Sequence, residues 1–201
     1  MKDELEKKIM PHIHTQPNQH DASVTMFIIC MDGNQPQLLM HMHRKLGKLM
    51  PPGGHVELDE TPWAAVSHEL QEETGYRLTE LDVMQPKLRM KSARDITVHP
   101  QPFVSNTHAV TPEHFHTDLD YLFIARSKPS APPAEGESTD FRWMSAADVA
   151  ALDETQTYPN IQDFCAYVFE KLLPSDVWET VPATSYDTTD TTAKFTSKEE
   201  L

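Results

Sequence analysis

Three glutamates crowd the wrong end of a helix in this chain, and nothing else in the sequence constrains the fold as strongly. Thr61 offers an N-cap, Pro62 a first helical position and Gly75 a left-handed stop, so the spacing predicts a helix over residues 62–74. Glu69, Glu72 and Glu73 fall at i, i+3 and i+4 in its last turns. They share one face and sit at the negative end of the helix macrodipole. Like-charge spacing and dipole each oppose this by roughly a few tenths of a kcal/mol per group. Between Lys48 and Arg77 lie six carboxylates (Glu57, Asp59, Glu60, Glu69, Glu72, Glu73) and no Lys or Arg, in a chain of net charge −14. A solvated acidic face is the ordinary account of clustered glutamates. A hard divalent cation accounts for the crowding directly, since Mg²⁺ is bound through a few carboxylates plus substrate phosphates. Trp63, Val66 and Leu70 form an adjoining apolar stripe which, packed on a sheet, would hold the carboxylates rigidly.

The complete spacing says more than the cluster. Gly54, five residues, Glu60, seven residues, His68-Glu69-Leu70, one residue, Glu72-Glu73, one residue and Gly75-Tyr76 together resemble the Nudix box. That family's pattern is Gly-x5-Glu-x7-Arg-Glu-U-x-Glu-Glu-x-Gly-U, with U a bulky apolar or aromatic residue. The resemblance implies an α+β fold, an α/β/α sandwich in which a mixed, curved sheet lies between the box helix and a C-terminal helix. It also implies cleavage of a phosphoanhydride bond in a nucleoside diphosphate linked to another moiety, with Mg²⁺ or Mn²⁺ as cofactor. Carried over by position, Glu69, Glu72 and Glu73 are metal ligands, joined by the carbonyl of Gly54. Gly53, Glu60 and Gly75 support the box. The general base is Glu69 or a loop carboxylate, with Glu113, Asp118, Asp120, Glu135 and Glu137 as candidates.

His68 stands where the family has Arg, and it is counted with the catalytic set. An imidazole is shorter and lacks the guanidinium fork. Among Glu60, Glu69 and Glu72 it should be biased towards protonation and replace part of the lost charge. The departure keeps an alternative open, a non-catalytic module that binds a nucleotide or sugar nucleotide. A diphosphate isomerase on the same scaffold would need an active-site cysteine. Neither Cys30, in a strand, nor Cys165, on a packing face, is well placed for that.

Around the box, residues 1–21 read as a polar lead-in, 22–173 as the Nudix-like domain and 174–201 as a polar, disordered tail. Residues 23–30 and 37–43 have strand character, with a turn at Asp32-Gly33-Asn34. In the second strand Leu38, Met40 and Met42 share one face, and Leu39, His41 and His43 the other. Residues 51–54 read as a loop. Residues 79–126 read as mostly β, with apolar patches at 81–84, 96–98 and 121–125. A Pro-rich connection over 127–138 leads to a short strand at 141–144 and a short helix capped by Ser145 with Asp148. Asn160 then caps a final helix with apolar positions Ile161, Phe164, Cys165, Val168, Phe169 and Leu172.

Weaker constellations surround these. His114-x-His116-x-Asp118 would face one way on a strand, as a second metal site, a substrate-binding ledge or simply a polar strand surface. His41-x-His43 and His12-x-His14 share that spacing. Arg44, Lys45 and Lys48, or the run Lys87, Arg89, Lys91 and Arg94, could contact phosphates; the run could equally guard a strand edge. Tyr158 and Asn160 could reach a ligand from the last loop. Seventeen Lys+Arg against 31 Asp+Glu deprive binding to a nucleic-acid polymer or an anionic membrane of its usual driving force. Two cysteines point to a reducing cytoplasm. The expected partner is a small-molecule phosphoanhydride, with a homodimer left open.

Overall fold

A computed structural model of the protein describes residues 15–188 apart from Asp32 and Asn34. Its spine is a long parallel pair, β1 (Gln19–Cys30) beside β7 (His114–Ala125), in register from Gln19↔His114 to Cys30↔Ala125. The rest of the sheet comprises β2 (Gln37–His43), β3 (Lys48–Met50), β4 (Gly53–His55), β5 (Leu81–Pro86), β6 (Val104–Thr111), β8 (Phe141–Met144) and β9 (Trp178–Pro182). The main path runs β3-β2-β1-β7-β5-β9, with β4 also on β1, β6 on β7 and β8 on β2. Pairings other than β1–β7 are antiparallel, so the sheet is mixed.

Helices cover both faces. On one side α1 (Pro62–Glu69) continues into a π turn over Leu70–Thr74. The Thr61 hydroxyl accepts from the Ala64 N–H, and Gly75 closes the element at φ 77°. Trp63, Val66 and Leu70 bury the expected stripe against Val24, Met26, Ile28, Tyr121 and Phe123. Trp63 stacks on Phe123 with ring centroids 5.8 Å apart. On the other side α3 (Pro159–Tyr167), with its own π turn over Val168–Leu172, packs Ile161, Cys165, Val168 and Leu172 on Phe27, Ile29, Leu38 and Met40. A short α2 (Ala146–Ala150) is capped by Ser145 and Asp148 as its sequence predicts. Each such fully buried large side chain contributes about 1.5–3 kcal/mol. This is the α/β/α sandwich expected, and the alternation of β2 divides Leu38 and Met40 from Leu39 between the two cores as its pattern requires.

Several boundaries differ from expectation. β1 begins at Gln19 rather than Ser23, drawn out by its pairing with β7. Gly53 and Gly54 belong to a strand rather than a loop, because β4 pairs with Val24 and Thr25 of β1. Residues 96–98 form no strand, and Ile96 is exposed. Asn160 is not the cap: Tyr158 occupies that position without a side-chain bond, and Pro159 starts the helix. Within the stretch expected to be disordered from residue 174, Trp178–Pro182 form β9 on β5. Residues 1–14 with the His12/His14 pair, Asp32 and Asn34 of the expected turn, and residues 189–201 lie outside the described residues. No described helix is long and apolar enough to cross a membrane.

Candidate active site

The end of α1 meets β4 at the glutamate cluster. A Cβ on Gly54 would lie 1.9 Å from Glu69 Oε1, so only glycine lets this carboxylate approach the strand backbone. The Gly53 N–H donates to Glu73 Oε2 at 2.8 Å. Glu69 and Glu73 thus converge on the two glycines, with Glu72 on the same turn.

Burial pushes the Glu69 carboxyl up to about 7, with Glu72, Glu137 and Glu60 adding to the effect and His68 opposing it. Burial pushes Glu73 up to about 8, against the Gly53 hydrogen bond and with help from Glu69, Glu137 and Glu72. His41 Nε2 lies 3.8 Å from Glu73 Oε2. Burial, with His43 beside it, lowers His41 to about 4, so the imidazole is neutral near pH 7 and the contact is not an ion pair. Among the described residues no Lys or Arg is paired with these three carboxylates, and the side chains facing them are the imidazoles of His41 and His68. Carboxylate oxygens and a backbone carbonyl are the donor set of a hard dication, and Glu69, Glu72, Glu73 and the Gly54 carbonyl could hold Mg²⁺ or Mn²⁺.

His68 anchors the box. Its Nδ1 lies 3.1 Å from Glu60 Oε1 and its Nε2 3.1 Å from Glu72 Oε1. Burial opposes its charging, but Glu72, Glu69 and Glu60 outweigh that and raise its pKa above the ordinary value. Glu60 Oε2 also accepts from the Glu57 N–H.

The Pro-rich connection supplies the site's outer wall. The Ala134 N–H donates to the Glu72 carbonyl at 2.8 Å, and the Ala131 carbonyl lies so close to Gly75 that a Cβ there would come within 2.0 Å of it. The same segment carries Glu137, whose charge raises both Glu69 and Glu73. Arg44 donates to the Gly136 carbonyl and, with Glu137, lines an open cleft of about 460 Å³. Lys48 instead reaches the Glu154 carbonyl and covers the Tyr158 ring, and Arg89 is tied to Glu179.

The structure separates the other expected site residues from this cluster. Asp118 accepts from Thr25 Oγ1 at 2.7 Å, and Asp120 from Asn106 Nδ2 at 2.7 Å. Both lie on the face of β7 that carries Leu122, opposite the box helix. His114 and His116 share that face, but their neighbour is His55 rather than Asp118. His55 Nε2 is 3.0 Å from His116 Nε2, which is 3.2 Å from His114 Nε2. Burial and the surrounding His55, His108 and His114 hold His116 down at about 3. Sequence reasoning missed His55 and His41 as neighbours of these clusters. The available signals were the position of His55 next to Gly54 and the alternation of His41 in β2.

Comparisons with known proteins point one way. A family model described as the NUDIX domain matches residues 19–164. A MutT-like protein of Streptomyces ambofaciens is 40% identical over 68 residues, covering 34% of this chain and 42% of that protein. The matched stretch thus spans less than half the length of that curated relative. A NUDIX-family hydrolase structure from Clostridium perfringens is 27% identical with TM-score 0.62, covering 77% of this chain and 99% of that one. The C. elegans Ap4A hydrolase structure is similar in fold, with 15% identity, TM-score 0.58 and coverage of 77% and 99%.

Proposed function

This chain belongs to the Nudix family, and from that premise we propose that it is a divalent-metal-dependent hydrolase. Its substrate is a small molecule in which a nucleoside diphosphate is linked to another moiety, and the bond cleaved is a phosphoanhydride. The observation that carries this reading is the convergence of Glu69 and Glu73 on the Gly53-Gly54 strand, with Glu72 on the same turn and no Lys or Arg paired with the three among the described residues.

Glu69, Glu72, Glu73 and the Gly54 carbonyl would hold Mg²⁺ or Mn²⁺, which would neutralise phosphate charge and make water more acidic. The chain's own residues do the rest. Gly53 fixes one oxygen of Glu73 through its N–H. His68 spans Glu60 and Glu72, so the box keeps an anchor although it lacks arginine. Glu137 is the loop carboxylate nearest in effect to the cluster and is assigned as the general base, while Arg44, on the same cleft, offers a guanidinium to a phosphate.

The relatives support the reaction class: one similar structure is a NUDIX-family hydrolase and another an Ap4A hydrolase. The test is a panel of nucleoside triphosphates, dinucleoside polyphosphates and sugar nucleotides, assayed with Mg²⁺ or Mn²⁺. At least one member should be cleaved only with metal. Glu72→Gln and Glu73→Gln should each lower kcat by at least about 100-fold, since even outer-shell partners of a metal cost 10–100-fold. Binding of a panel member without turnover of any would favour the sensing module instead.

A further inference from the structure

We propose that His55, His114 and His116 form a second metal site, for Zn²⁺ or a similar borderline dication, with the Asp21 carboxylate beside them. It lies on the opposite face of the sheet from the glutamate cluster. The proposal stands independently of the hydrolase reading.

Three strands build the site. Gly54 directs its missing Cβ towards Glu69, so the next residue of β4, His55, faces the other way. β4 pairs with β1 at Ser23↔His55, and β1 pairs with β7 at Asp21↔His116. His114 and His116 share a face of β7 by period two. Imidazoles from β4 and β7 thus meet across β1, which contributes Asp21.

The geometry is that of a ligand set. One nitrogen from each histidine lies within 4.8 Å of the other two. Zn–N bonds of about 2.0–2.1 Å in a tetrahedral site put ligand nitrogens roughly 3.3 Å apart. The two closest pairs here are 3.0 and 3.2 Å apart, both involving His116 Nε2. That nitrogen has one proton or one lone pair to offer two facing nitrogens. A shared dication satisfies all three at once.

Asp21 is a second, independent sign. It is 4% exposed, and its Oδ2 has no hydrogen-bond partner among the described residues. The same oxygen lies 3.6 Å from His114 Nε2. A buried carboxylate oxygen left unsatisfied is costly, and a cation among the imidazoles offsets that cost. Ligand chemistry also sorts the two sites, because imidazole suits Zn²⁺ whereas carboxylates and carbonyls suit Mg²⁺ and Mn²⁺. Once filled, the histidine site would fasten the strand that carries Gly54 to β7.

The test uses the full chain, stripped by a chelator, then titrated with Co²⁺ and Zn²⁺ in excess Mg²⁺. Co²⁺ should give the intense visible absorption of a four-coordinate site, at one equivalent, displaced by Zn²⁺. The Glu72→Gln/Glu73→Gln double variant should keep this spectrum. His116→Gln should lose it, and Asp21→Asn should weaken binding roughly 10–100-fold. Should His116→Gln fail to fold by circular dichroism, His55→Gln takes its place. A Co²⁺ spectrum abolished by the glutamate variant but unchanged by the histidine variants overturns the proposal. So does a folded parent that binds no Co²⁺ or Zn²⁺ in excess Mg²⁺.

Discussion

At the scale of single residues, the box spacing discloses which glutamates matter but not the state in which they wait. Spacing along a helix is local, so Glu69, Glu72 and Glu73 were legible. The contributions of Glu137 and His41 depend on where a distant connection and a neighbouring strand pass, and no local pattern carries that. Burial and mutual repulsion hold Glu69 near 7 and Glu73 near 8, so without metal Glu73 is mostly protonated at neutral pH. A dication binds the carboxylate form, so its binding must expel protons. Mg²⁺ titrations near pH 7 in two buffers of different ionisation enthalpy should show proton release, and affinity should rise from about pH 6 to about pH 9. Glu73→Gln should remove much of that release. Heats independent of the buffer would show that these carboxyls are already ionised.

At the scale of elements, sequence periodicity recovered the pieces that carry their own punctuation. The box helix has Thr61, Pro62 and Gly75; α2 has Ser145 and Asp148. It failed where an element is created by its partner. β4 is only Gly53-Gly54-His55, with no apolar alternation, and exists because β1 pairs with it. The π turn over Leu70–Thr74, which carries Glu72 and buries Glu73, differs from an α turn by too little for a sequence pattern to register. β9 was missed because its Trp178-Glu179-Thr180-Val181 stretch puts one apolar and one polar residue on each face, so no amphipathic alternation marks it, and it is held from outside. Arg89 donates to Glu179 Oε1 at 2.7 Å, to the Pro86 carbonyl at 2.6 Å and to the Tyr186 hydroxyl at 3.1 Å. Hydrogen bonds of charged groups are worth about 1.5–3 kcal/mol, so Arg89→Ala should lower Tm by roughly 3–12 °C for a chain of this size. Arg89→Lys should recover only part, since one ammonium cannot reproduce the fork. An unshifted thermal melt would show that β9 stays in place without Arg89.

At the scale of the whole molecule, this acidic chain places carboxyl groups inside itself, and that sets how its stability depends on pH. Asp120 is 1% exposed. Burial and the neighbouring Asp118 raise its pKa well above the ordinary carboxylate range. The unfolded chain gives up this proton near pH 4, whereas the folded chain retains it to much higher pH. Between those limits the native state binds more protons than the unfolded one, so stability declines as pH rises. Glu69 and Glu73 act in the same direction, but saturating Mg²⁺ would ionise them favourably and remove their share. Melts in excess Mg²⁺ therefore leave Asp120 as the raised carboxyl that titrates. His41 and His116, held at about 4 and about 3, add stability as pH rises towards about 6.5, so the decline is read above that. The Tm of the parent should fall from about pH 7 to about pH 9, and Asp120→Asn should flatten that fall and be the more stable protein at the alkaline end. Asparagine can still accept from Asn106 and donate to Asp118, so the packing is kept while the ionisable proton is removed. If the two curves run parallel, Asp120 is not the group that drives the decline. A decline seen only in melts without Mg²⁺ would assign the acid preference to the metal-site carboxyls instead.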